Sequence, residues 1–187
     1  MIIPTSIPSG SAWHHIFLDR YPDPLGFGFA ASRFSDPRKR RHRFGVYYVG
    51  ETFEVAFLET LLRDRKNGNP DRLLLDRAEL ADYAHVEIAI LQPLDVVDLR
   101  GGNAIALGLP TDAIGARSHA PGRRASLEFY QHPKYFDGIA YPSRLNGDSD
   151  IAVYDRAIPK LSAGPRQKLD THAELAAVLD AYRVVLV

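Results

Sequence analysis

The densest run of hydrophobic positions lies between Gly45 and Leu62. Val46-Tyr47-Tyr48-Val49 reads as a short buried strand, and Gly50 turns the chain. From Phe53 onward apolar side chains recur around most of a helical circumference, with Thr52 placed to cap the helix and Glu54 in its first turn, where a carboxylate suits the positive end of the helix dipole. The pattern carries this helix to about Asp64, and the breaker cluster Lys66-Asn67-Gly68-Asn69-Pro70 ends it. Residues 83–90 alternate as a half-buried strand does, and residues 94–99 read as another, broken by Gly101-Gly102. Short helices are expected at 103–107 and 111–116, and a firmer one at 124–131. Residues 138–141 and 151–154 read as two short strands around a Ser-Arg-Leu-Asn-Gly-Asp turn. A helix over about 171–181 and a strand over 183–187 close the chain.

The predicted class is α+β: a single domain with a central mixed or antiparallel sheet and flanking helices. Residues 1–32, rich in Pro, Gly and aromatics, are expected to form an irregular lead-in packed by its rings. Residues 33–155 carry the core motifs, and 156–187 the closing helix and strand. His14 and His15 lack a third ligand at useful spacing, so a surface or packing role is expected rather than a metal site.

Composition narrows the chemistry. At 187 residues with 45% hydrophobic content, the chain can bury a substantial core without a metal or disulfide staple. With no cysteine, thiolate nucleophiles and Cys-ligated zinc are excluded. The 23 basic and 23 acidic residues balance to zero, which argues against a dedicated nucleic-acid binder. No apolar run approaches the roughly 20 residues of a membrane span, and no signal peptide is visible, so the cytoplasm is the default compartment.

Four residues stand out. Glu59 is a carboxylate at the edge of the apolar arc of its helix, at about 100° per residue between Val55 and Arg63. An acid there is either paired with Arg63 or at work. Arg33, in Ala-Ser-Arg-Phe-Ser, suits a partly buried guanidinium whose fork can grip a phosphate; a surface Arg over Phe34 is the plainer alternative. Tyr48 ends a strand beside a turn, a place for packing or for binding. Ser143, in Asp-Gly-Ile-Ala-Tyr-Pro-Ser-Arg, lacks the Gly-x-Ser-x-Gly context of a hydrolase nucleophile, and suits a plain turn or a hydroxyl that orients Glu59. The basic run from Arg38 to Arg43 is a solvated loop or a patch for phosphates or an acidic partner. No Walker loop, Rossmann fingerprint or His-x-x-x-His pair is present.

Arg33, then Tyr48 and Glu59 within Tyr-Val-Gly-Glu-Thr-Phe-Glu-Val-Ala-Phe-Leu-Glu-Thr, then Ser143, together resemble the RES-domain family, from roughly Pro24 to Asp155. The resemblance implies a fold similar to ADP-ribosyltransferases, and a toxin that consumes NAD and is held by a cognate antitoxin protein. It implies that Arg33 holds the dinucleotide phosphates and that Tyr48 lines the nicotinamide side. Glu59 would stabilise the oxocarbenium-like ribose, and Ser143 would bind near the nicotinamide ribose. The acceptor of ADP-ribose stays open between water, phosphate and a protein side chain. A different class of function is also open: a non-catalytic module whose basic loop contacts RNA or an acidic protein.

Overall fold

The computed structural model describes residues 2–38, 43–65, 71–110 and 118–187. In chain order the elements are β1 (Pro4–Ile7), β2 (Ala12–Leu18), β3 (Val46–Gly50) and α1 (Phe53–Phe57), which runs on as a π-helical turn over Leu58–Leu62. Next come β4 (Leu73–Leu75), α2 (Arg77–Ala81), β5 (Tyr83–Ile90), β6 (Leu94–Asp98), α3 (Asn103–Ala106) and α4 (Ala120–Tyr130). The chain closes with β7 (Gly138–Pro142), β8 (Ser149–Tyr154), a 3-10 segment (Asp155–Lys160), β9 (Leu161–Ala163), β10 (Gln167–Lys168), α5 (Leu175–Ala181) and β11 (Val184–Leu186). The predicted helix at 111–116, the breaker cluster at 66–70 and the middle of the basic loop, 39–42, lie outside the described residues.

The main sheet runs β1-β6-β7-β8-β3-β2-β5-β10, with β9 also pairing β5, while β4 and β11 form a separate parallel ribbon. Within the main sheet β6 and β7 are parallel and the other pairs antiparallel. The fold is α+β, as the pattern predicts. The sheet is uneven along its width. Seven residues of β2 pair with β5, and five of β3 pair with β8, but β2 meets β3 at His14↔Gly50 alone. Two half-sheets therefore part along a seam, where the backbone polar groups need other partners. The ring of His15 supplies one: its Nδ1–H donates to the Tyr48 carbonyl at 2.8 Å. Burial drives His15 down to about 4, so the bridging ring is neutral at ordinary pH.

Residues 1–32 correct the expectation of an irregular lead-in, since β1 is the sheet edge and β2 one of its central strands. Trp13, Ile16 and Phe17 are buried, but His14 and His15 interrupt the alternation that would have marked the strand. Each histidine has its own use, His15 at the seam and His14 through Nδ1 to His85 Nε2 at 3.0 Å. The ribbon strand β4, helix α2 and the short strands β9 and β10 are further elements beyond those the pattern predicts. The predicted helix at 171–181 is shorter, α5 following a 3-10 turn at Leu169–Thr171.

The turn and helix after β3 follow the sequence closely. Thr52 accepts from the Val55 amide at 3.2 Å and caps α1. The Glu54 carboxylate, beyond its place near the dipole, accepts from the Tyr182 hydroxyl at 2.6 Å, tying α1 to the end of α5. Gly50 lets the helix sit directly on the sheet: a Cβ there would come within 2.9 Å of the Ala56 amide nitrogen and of Val55 Cγ1. Gly50→Ala should therefore destabilise the fold by about 1–3 kcal/mol, measured by chemical denaturation, through overpacking against α1.

Candidate active site

Tyr48, Glu59, Arg63 and Tyr141 line a cleft of about 170 Å³ at the seam. Glu59 stands on the π-helical turn. A wider turn advances each residue by less than the 100° of an α-helix, so the carboxylate swings from the predicted edge position toward the end of β7. There the Ser143 hydroxyl donates to Glu59 Oε1 at 2.8 Å, while Arg63 Nη1 lies 3.6 Å from Oε2. Glu59 is thus paired with Arg63, as the plainer reading has it, and is also oriented by Ser143. Its side chain keeps about 20% exposure, enough to face a ligand. Ser143 is itself buried, and its oxygen accepts from the Leu145 amide at 3.2 Å, which fixes the hydroxyl.

The Tyr48 ring lines the cleft, and its hydroxyl holds the segment that carries Arg33. It accepts from the Phe34 amide at 3.0 Å and shares a hydrogen bond with Ser32 Oγ at 2.8 Å. Ser126 Oγ grips the same segment from α4, donating to the Phe34 carbonyl at 2.7 Å. Arg33 is 6% exposed, which excludes the surface alternative. Burial lowers its pKa from the ordinary arginine value, and Arg144 and Arg63 push the same way against Tyr141 and Glu59.

Arg33 has company that the sequence did not announce. His119 is held below its usual value by burial first, then by Arg33, Arg63, Arg123 and Arg144. Four guanidinium groups from four separate stretches therefore lie within electrostatic reach of His119. The Nε atoms of Arg123 and Arg144 are buried without a hydrogen-bond partner among the described residues. Arg144 Nη2 is 3.8 Å from Asp64, an 84% exposed carboxylate that screens it little. Such a wall suits an anion with several oxygens. The signal that could have found it was slight: Arg144 follows Ser143 directly, and Arg63 was already cast as the partner of Glu59.

The described ends of the basic loop are tied down. Arg38 pairs with Asp36 at 2.6 Å, and Arg43 Nε donates to the Arg38 carbonyl at 2.7 Å.

A split, curled α+β sheet with Arg, Tyr, Glu and Ser gathered at its seam defines a class of protein, and comparison with known proteins identifies it. The family described as RES domain matches residues 11–178, and the chain belongs to that family. The protein named "Probable toxin y4kH" from Sinorhizobium fredii (strain NBRC 101917 / NGR234) is 38% identical over 129 residues, covering 67% of this chain and 100% of that protein. The crystal structure of the M. tuberculosis MbcT-MbcA toxin-antitoxin complex contains a chain that superposes with a TM-score of 0.69, over 95% of this chain and 91% of the other, at 16% identity. At that identity the likeness shows the fold. Among the described residues no helix is long and apolar enough to cross a membrane.

Proposed function

We propose that this chain is the toxin of a toxin–antitoxin pair and that it consumes NAD by cleaving the nicotinamide–ribose bond. The observation that carries the reading is the Glu59 carboxylate, held by Ser143 and facing a cleft beside an arginine wall. Membership of the RES domain family and the toxin names of the relatives support it.

The chemistry asks little of the protein. Nicotinamide leaves as a neutral molecule, so neither a metal nor a covalent nucleophile is required. The diphosphate must be pinned, the ring oriented, and a negative charge set where positive charge develops on the ribose. Arg33, with Arg123 and Arg144, would hold the diphosphate, and the Tyr48 ring would bound the nicotinamide. Glu59 would face C1′ as the bond breaks, with Ser143 beside the ribose. The cleft is smaller than the roughly 300–1,000 Å³ of pockets that enclose a whole ligand of drug size. It would therefore take the nicotinamide-ribose end and leave the remainder along the arginines. Water, phosphate or a protein side chain could then attack the ribose, as in glycoside chemistry.

An enzyme of this kind drains the cell that makes it, so an antitoxin protein should accompany it. Expression of the chain alone should arrest growth with a fall in cellular NAD, and expression of Glu59→Gln should do neither. Unimpaired growth of cells that contain folded, active protein and no partner would overturn the toxin reading.

A further inference from the structure

Asp150 is a carboxylic acid that the mechanism above does not use. It is the second residue of β8, opposite Gly50 of β3 and Tyr141 of β7, so both flanking strands fix its backbone. The register puts its side chain on the sheet face shared by Tyr48 and Tyr141. That is the face on which α1 and its π-helical turn rest, close because Gly50 has no side chain. Asp150 is 4% exposed, and its Oδ2 is buried with no hydrogen-bond partner among the described residues.

The groups that face it are Glu59 and Arg63 from the helix, Asp148 from the preceding turn and Tyr141 from β7. Two neighbouring carboxyls of this kind do not both ionise readily. Glu59 has the Ser143 hydroxyl and the Arg63 guanidinium beside it, whereas Oδ2 of Asp150 has no donor among the described residues. Of the two, Asp150 is therefore the carboxyl whose surroundings disfavour a charge.

We propose that Asp150 is a positioning residue: its buried carboxyl, seated on the sheet beneath the π-helical turn, holds Glu59 in its pose on Ser143. Burial first, then Glu59 and Asp148 against Arg63, push Asp150 up to about 9. Above that pH a second negative charge would compete for Arg63 and repel Glu59 from its pose. The kinetic part of this inference rests on the NAD-cleaving reading; the part that concerns stability does not.

The test uses Asp150→Asn, which keeps the shape and cannot ionise. A carboxyl whose folded value lies above its unfolded value stabilises fully at low pH, and that contribution is lost as pH rises through the window. The melting temperature of Asp150→Asn relative to wild type should therefore climb steadily from about pH 4 to about pH 9 and then level off. In NAD cleavage the wild-type kcat should fall above about pH 9, and Asp150→Asn should retain neutral-pH activity with that alkaline limb displaced or gone. A stability difference that is flat with pH, an unmoved alkaline limb, or a folded but inactive Asp150→Asn would each overturn the proposal. Wild-type protein that leaves NAD intact would instead overturn the NAD reading, and the stability measurement would still decide Asp150.

Discussion

Glu59→Gln should slow nicotinamide release from NAD by about 10²–10³ while the protein stays folded. The substitution keeps the size of the side chain and a group able to accept from Ser143 Oγ, so the 2.8 Å contact survives. What it removes is the charge that faces the ribose as positive character develops there. Since ground-state contacts change little, the loss should fall on kcat more than on KM. Parental activity in this variant would make Glu59 a structural partner of Arg63, the plainer of the two readings the sequence allowed. Loss of the Arg63 pair itself should matter little for stability, because ion pairs this open contribute about 0–1 kcal/mol. A normal melting temperature with lost turnover is the expected signature.

Arg33→Lys should weaken NAD binding by about 10–100-fold although the charge is conserved, as expected for loss of one charge-assisted hydrogen bond of about 1.5–3 kcal/mol. The Tyr48 hydroxyl and Ser126 hold the Phe34 amide and carbonyl directly after this buried side chain, so the guanidinium fork is presented in a set direction. An ammonium at that place cannot make two parallel bonds to a phosphate. The comparison is with Arg124→Lys, an exposed arginine on the same α4 that carries Arg123. Equal small effects at the two positions, measured at one ionic strength, would remove any special role for Arg33.

The stretch from β3 to α1 was legible because its determinants are local. A strand, a glycine turn and a capping threonine each act within a few residues. Glu59 showed itself as an acid on an apolar helix, and Ser143 as a hydroxyl at the end of a strand. The π-helical turn that aims Glu59 at Ser143 has no comparable local sign, so a regular 100° count left the carboxylate at the arc's edge. Strand β2 was hidden by two polar residues that face opposite ways, each satisfied by a group from a distant part of the chain. The arginine wall joins residues 33, 63, 123 and 144, which no spacing rule connects; the sheet order brings them together. Asp150 lies between the Ser-Arg-Leu-Asn-Gly-Asp turn and the strand read at 151–154, so the pattern gave it no place. Its burial depends on Gly50, a hundred residues earlier, having no side chain to displace the helix.

Cleavage of NAD at the seam of this sheet is tested most directly by one measurement. Purified protein is incubated with NAD, and released nicotinamide is quantified over time beside Glu59→Gln. The account predicts many nicotinamide molecules per protein molecule from the wild type and almost none from the variant. Folded wild-type protein that leaves NAD intact, or that releases nicotinamide equally well with glutamine at position 59, would contradict it.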